Sequence, residues 1–279
     1  MPGRRRFFSF MPVAVAGLTA VAVMSGCGTS PAATPPAPNA TAPASSSTAA
    51  SPTTVGSRPP GTTGPYPWQP GARANSAWAY QADALKSAAA HDAAAQIVFL
   101  GDSITQGWLN VGSVAWDAVW APRNALALGI IGDTTQNLLW RIHHGELAGL
   151  TPRAVVLLIG TNDYGAGWSP AQVAQGIEAC AAAVRAALPS AALELLTVFP
   201  RGDAESVAAS EVRATNADLA TAQLPADATL IDMTATLASA AGAPVPTLFG
   251  SDLLHPSATG YQVIAGRLLA IPVLAASAS

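Results

Sequence analysis

The sequence predicts an α/β domain built on a five-stranded parallel, doubly wound sheet, and three observations carry that prediction. From residue 76 onward, five short apolar runs alternate with helical patterns. The runs are continuously apolar instead of alternating, as in strands covered by helices on both faces. Polar, glycine-bearing motifs follow four of the runs, where an open α/β sheet presents its reactive loops.

The elements follow in order. Ser76 to Ala95 is alanine-rich and helix-like, and Gln96–Leu100 is the first strand. Ala125–Ile131 is the second strand, and Thr134–Leu147 has helical spacing through Leu138, Leu139 and Ile142. Ala154–Ile159 is the third strand. Pro170–Leu188 is a helix entered through the Ser169-Pro170 pair. Leu193–Phe199 is the fourth strand, Val207–Gln223 a helix, and Thr229–Met233 a short fifth strand. Ser257–Leu269 closes the pattern as a helix with a serine cap behind Pro256.

Ahead of this domain, residues 1–26 read as an export signal. Arg4, Arg5 and Arg6 precede an apolar stretch from Phe7 through Val23, then Ser25-Gly26-Cys27. Met24-Ser25-Gly26-Cys27 resembles a bacterial lipoprotein signal, which makes Cys27 the expected lipidated residue and the cell membrane, on its extracytoplasmic side, the expected location. A plain signal peptide releasing a secreted protein is the alternative. The arginine run also resembles a twin-arginine signal. Residues 27–74 read as a tether: 11 of the chain's 23 prolines fall there, among Ala, Ser, Thr and Gly. Residues 75–279 form the folded domain, with Tyr66 and Trp68 close enough to its start to pack on it.

Charge excludes one class of partner. Without residues 1–27, which hold 3 of the 13 basic residues, 10 basic and 16 acidic residues remain, a net of −6. Nucleic acid binding needs clustered Lys and Arg, so no nucleic acid partner is expected. Cys180, among alanines in a helical pattern, reads as a buried apolar residue and not as a nucleophile.

The chemistry concentrates in the loops behind the strands. Gly101-Asp102-Ser103 follows the first, Gly132-Asp133-Thr134-Thr135 the second, Gly160-Thr161-Asn162-Asp163 the third, and Pro200-Arg201-Gly202 the fourth. Near the end stands Asp252-Leu253-Leu254-His255-Pro256. Ser103, at a helix start where backbone N–H groups favour negative charge, is a candidate nucleophile. It needs a base, and His255 has an imidazole that is neutral near working pH. Asp252, three residues earlier, can hold the imidazole in the required tautomer. Asp102 and Asp133 read as loop-fixing carboxylates. Trp108, Tyr164 and Trp168 are either pocket-lining or core aromatics. His143, His144 and Glu146 read as a solvated helix face, since adjacent histidines point to different sides of a helix. Arg201-Gly202-Asp203 reads as a loop on the reactive side of the sheet.

Taken together the blocks resemble the SGNH (GDSL-type) hydrolase family over roughly residues 76–272. The four letters map in order onto Ser103, Gly132, Asn162 and His255. Gly132 through Arg141, with Phe199-Pro200-Arg201-Gly202, looks most like the platelet-activating-factor acetylhydrolase-like branch. The resemblance implies a three-layer, flavodoxin-like fold and a carboxylic ester hydrolase working through an acyl-enzyme on Ser103. It places the oxyanion donors at the backbone N–H groups of Ser103 and Gly132 and the Asn162 amide. A glycine fits a backbone donor that must approach substrate without a Cβ. No metal or organic cofactor is implied. The expected substrate is an acetyl or other short ester of a small molecule, glycan or lipid. The alternatives are a lipase or lysophospholipase for longer chains, and a non-catalytic glycan- or lipid-binding lipoprotein.

Overall fold

The computed structural model of the chain describes residue 58 and residues 64–277. The expected signal segment, Cys27 and most of the tether lie outside the described residues. Five strands form one parallel sheet in the order β2-β1-β3-β4-β5. They are β1 (Ile97–Gly101), β2 (Ala125–Gly129), β3 (Ala154–Leu158), β4 (Ala192–Leu196) and β5 (Ala228–Ile231). In register, Gly101 lies opposite Gly129 on one side and Leu158 on the other. Strand order therefore reverses at β1, so the loops after β1 and β3 flank the crevice where such sheets bind ligands.

Side-chain alternation along the strands builds two cores. Val98, Leu100, Leu128, Val155 and Leu157 pack beneath the helices Thr135–His143, Pro170–Ala187 and Val207–Thr221. Ile97, Phe99, Val156 and Leu158 face the opposite way, onto helix α2 (Ser103–Gly107) and the helix Ala258–Leu269. The helix starts are capped as the sequence demands. Thr134 with Asn137, and Ser169 with Gln172, form capping boxes, while Ser206 and Ser257 each accept an N–H from the first turn.

Several boundaries differ from the sequence reading. The helix α1 (Ser76–His91) stops four residues early, because Ala95 N–H turns back to donate to Asp92 O. The next long helix ends at His143 because Gly145 follows at φ +83°, a left-handed stop. The second, third and fourth strands are shorter than their apolar runs. Ile130, Ile159, Val198 and Phe199 leave the sheet but stay buried under the loops. Between α2 and β2, short helical turns place Trp116 and Trp120 around Phe99, an aromatic cluster that no simple periodicity announces.

The loops at the carboxyl ends rest on buried charge. Arg141 is fully enclosed and donates from Nη2 to Gly101 O (2.8 Å), with longer contacts to Leu128 O. Its Nε stands 2.9 Å from Asp133 Oδ2, and its Nη1 pairs with Glu146 Oε1. Trp78 Nε1 of α1 donates to the other Asp133 oxygen at 2.6 Å. Burial pushes Asp133 and Glu146 upward in pKa, and Arg141 pulls both back. Asp133 is therefore a tie between elements and not only the local loop-fixer expected. Glu146 is buried and paired, which corrects its reading as part of a solvated face; His143 and His144 are exposed as expected, with His144 stacked on Trp140. Replacing Arg141 with Met would strand two buried carboxylates, and a loss of roughly 3–5 kcal/mol is expected in urea unfolding. A loss below about 1 kcal/mol would mean the cluster is no more than a surface-type ion pair.

Two further carboxylates lie in the same layer without a guanidinium. Asp102 accepts from Ile104 N–H and Asp163 accepts from both N–H and Oγ1 of Thr135. Burial lifts each from the ordinary 3.8 to about 7. The folded state therefore holds protons that the unfolded chain has released across that window, so their stabilising share is complete below about pH 4 and lost as pH rises through 7. The melting temperature is expected to fall between pH 5 and pH 8, with a shallower fall in Asp102→Asn. A melting temperature that rises over that range would contradict the assignment.

Candidate active site

The site forms where four loops meet above the sheet. Ser103 opens α2 directly behind β1, with Asp102 capping the helix through Ile104 N–H. Gly101 lets this corner form, since a Cβ there would run into the carbonyl of Leu158 on β3. His255, 152 residues later in the chain than Ser103, and Asp252 come from the loop before the Ala258–Leu269 helix. Ser103 Oγ lies 2.9 Å from His255 Nε2, and His255 Nδ1 lies 2.6 Å from Asp252 Oδ2. The structure thus brings together the three residues that the sequence singled out for nucleophilic chemistry.

The acid is prepared by its own loop. Asp252 Oδ1 accepts the N–H groups of Leu254 (3.0 Å) and His255 (3.1 Å). Partial burial raises its pKa, but the bonds from the His255 ring and the two backbone N–H groups outweigh that and hold the carboxyl below its usual range. An ionised Asp252 can only accept, so Nδ1 of His255 carries the proton and Nε2 turns its lone pair to Ser103. The geometry has a local cost. Leu253 sits at φ +49°, a left-handed conformation costing a non-glycine residue roughly 1–2 kcal/mol. Gly202 N–H of the loop after β4 donates to Leu253 O at 3.0 Å and pins it.

Of the expected oxyanion donors, the Asn162 amide reaches the loops that carry the other two. Asn162 Nδ2 donates to Asp133 O at 2.9 Å and stands at a long 3.5 Å from Asp102 Oδ2. It therefore bridges the loops behind β1, β2 and β3 with one amide. The turn behind β2 is closed by Asp133 N–H on Ile130 O, with Gly132 at φ +76°. The N–H groups of Ser103 and Gly132 meet no acceptor among the described residues. The need for glycine at 132 differs from the sequence argument. It comes from the left-handed turn, and a Cβ there would face the Arg73 guanidinium, 3.3 Å from Nη1.

The remaining candidates separate cleanly. Trp108, Tyr164 and Trp168 are buried core aromatics, Tyr164 donating its hydroxyl to Thr215 Oγ1. Cys180 is buried against Thr135 O, and burial pushes its thiol up, in line with an inert core residue. Arg201 lies on the reactive side as expected, donating from Nη1 to Thr161 O at 2.6 Å. Sequence reasoning missed Arg73 altogether. The stretch read as the end of the tether docks on the domain: Asn137 Nδ2 donates to Gly71 O, Gln136 Nε2 to Pro65 O, and Tyr66 packs on Trp168. The two aromatics at 66 and 68 were the available signal. Among the described residues, no group of three or more His, Cys, Asp or Glu side chains is placed to hold a metal ion.

Comparison with known proteins agrees with this arrangement. The profile of the GDSL-like Lipase/Acylhydrolase family matches residues 99–263. The alpha1 subunit of platelet-activating factor acetylhydrolase IB from Bos taurus is 39% identical over 107 residues, 38% of this chain and 44% of that protein. The alpha2 subunit from Rattus norvegicus is 36% identical over 107 residues, 38% and 45% of the two chains. The match thus spans less than half the length of these relatives. Among solved structures, a GDSL-like lipase from Bacteroides thetaiotaomicron superposes with a TM-score of 0.55 at 21% identity, covering 67% of this chain and 96% of that one. An acetylxylan esterase from Geobacillus stearothermophilus gives 0.50 at 16% identity, covering 66% and 95%. At such identities the likeness speaks for the fold, whereas the profile match takes in more than half of the chain. The chain belongs to the GDSL-like lipase/acylhydrolase family.

Proposed function

We propose that the protein is a serine esterase that hydrolyses short-chain carboxylic esters through an acyl-enzyme on Ser103. The observation that carries this reading is the relay Ser103 Oγ–His255 Nε2–His255 Nδ1–Asp252 Oδ2, at 2.9 and 2.6 Å. Ser103 Oγ attacks the ester carbonyl as its proton passes to His255 Nε2, and Asp252 stabilises the imidazolium. The tetrahedral oxyanion takes hydrogen bonds from the Ser103 and Gly132 N–H groups and from the second N–H of Asn162, which gives up its long contact with Asp102 Oδ2. Collapse breaks the bond to the alcohol, which leaves with the proton from Nε2. Water then gives a proton to Nε2 as it attacks the acyl carbon; the bond from the acyl carbon to Ser103 Oγ breaks, Oγ takes the proton from Nε2, and the acid leaves.

A short acyl group is favoured by likeness: relatives of this chain are named for platelet-activating factor acetylhydrolase and acetylxylan esterase. One observation favours longer chains: Ile131, beside Gly132, is 59% exposed and offers an apolar rim along which a chain could lie. We also propose that the protein is exported and held at the membrane by lipid on Cys27, a reading that rests on the sequence motif.

Fluorophosphonate is expected to label the wild-type protein and not Ser103→Ala, with p-nitrophenyl acetate hydrolysis lost in the same variant. Equal labelling of both proteins would remove Ser103 from the chemistry. Asn162→Ala is expected to lower turnover on the order of 10²–10³-fold. Across p-nitrophenyl esters from acetate to palmitate, kcat/KM is expected to peak at acetate or butyrate, and a peak at palmitate would move the reading to the longer-chain class. For the anchor, Cys27→Ser is expected to shift the protein from the membrane to the soluble fraction, and unchanged fractionation would count against lipidation.

A further inference from the structure

We propose that Arg73 is a positioning residue for the oxyanion site, which strengthens the Gly132 N–H donor from behind through the peptide bond it shares with Ile131. The inference rests on the esterase reading above. Arg73 lies outside residues 99–263, the part of the chain matched by the family profile. Its Nη1 donates to Ile131 O at 2.8 Å. That carbonyl and the Gly132 N–H belong to one planar peptide unit. In the turn closed by Asp133 N–H on Ile130 O, this is the central peptide, whose two polar ends are used by neither strand nor turn. One end is taken by a guanidinium and the other faces no acceptor among the described residues.

The consequence is chemical. A cation bonded to a carbonyl oxygen draws electron density through the amide and makes the N–H at its other end more positive. The same contact fixes the orientation of the peptide, so that the N–H need not reorganise when negative charge develops. The guanidinium also brings its own charge close: Nη1 would stand 3.3 Å from a Cβ on Gly132 and is 3.9 Å from Asp133 Oδ1. Asp133 cannot absorb that charge fully, because it already faces Arg141 Nε at 2.9 Å and accepts Trp78 Nε1 at 2.6 Å.

Arg73 is itself held in place by its own segment. Gly71 N–H donates to Gln136 O, and Asn137 Nδ2 donates back to Gly71 O, clipping the chain two residues before it. Two residues after it, Asn75 donates its N–H to Arg73 O and caps α1 through the N–H groups of Ala77 and Trp78. Its side chain is only 36% exposed, and the backbone around it is fastened at both ends.

The test compares Arg73→Lys, Arg73→Gln and Arg73→Met in the full chain, with p-nitrophenyl acetate turnover, melting temperature and fluorophosphonate labelling rate as readouts. Removing the donor itself costs about 10²–10³-fold, so a residue acting on it indirectly is expected to give a smaller fall, about tenfold in kcat for Arg73→Met. KM and melting temperature are expected to stay near wild type, and labelling is expected to slow in step with kcat. Lys, which keeps a charged donor, is expected to recover most of the loss, and Gln, a neutral donor, less. The proposal is overturned if all three variants turn over like wild type, if Lys is no better than Met, if KM rises while kcat holds, or if kcat falls only in step with melting temperature. Activity surviving in Ser103→Ala would instead overturn the esterase reading on which it stands.

Discussion

The buried guanidinium of Arg141 is the constraint on which the reactive face depends. At the ends of parallel strands the ladder thins, and an under-bonded buried carbonyl costs free energy. Gly101 O keeps only a long 3.4 Å bond from Ile130 N–H among its backbone contacts, and Arg141, from a helix that starts after β2, adds donors to Gly101 O and Leu128 O. No apolar residue of similar volume could do this. The charge that comes with the donors then requires Asp133 and Glu146, and their burial brings its own desolvation cost. Such a cluster is a poor source of net stability. Its value lies in fixing directions: two strand ends, one turn and α1 all point where one planar group allows.

From Asp133 the constraint passes into the site. Its side chain is tied to Arg141 and Trp78, while its backbone carbonyl accepts the Asn162 amide. One residue therefore sets both the turn that presents Gly132 and the side chain that faces the same crevice. On the far side, Gly202 N–H holds Leu253 in its left-handed conformation, which orients Asp252 and His255. Each loop is fixed by a group from another loop, so precision here does not depend on any one of them being rigid alone.

What could be read from the sequence, and what could not, follows from the range of the interactions. The central strands were legible because burial on both faces leaves a continuous apolar signature. Ser103, Gly132 and Asn162 were legible because strand ends locate them, and Asp252 and His255 because an acid stands three residues before a histidine ahead of the last long helix. Arg141 and Glu146 were not. Their pairing depends on Gly145 reversing the chain in a left-handed turn, so Glu146 points back beneath the helix and not along its outer face. Arg73 was hidden for a different reason: it sits in proline- and glycine-rich sequence, whose composition argues for a tether. Composition reports how little apolar surface a segment can bury. It does not report that Asn137 and Gln136 will supply side-chain donors to fasten it.

The layer beneath the site also poses an electrostatic problem. Asp102, Asp133 and Asp163 follow β1, β2 and β3, which puts three carboxylates close under the place where an oxyanion would form. Three full negative charges there would oppose the reaction that the donors above them favour. The fold deals with each differently. Asp133 is balanced by Arg141, while burial holds Asp102 and Asp163 at about 7, so that neither is fully charged near neutral pH. Their partners, Ile104 N–H and the N–H and hydroxyl of Thr135, are donors, and a carboxyl oxygen accepts from a donor in either protonation state. The carboxylates can thus serve as hydrogen-bond anchors for the loops without each contributing a whole charge. A positive group at the rim, as Arg73 is, adds to a compensation that Arg141, shared between Asp133 and Glu146, supplies only in part.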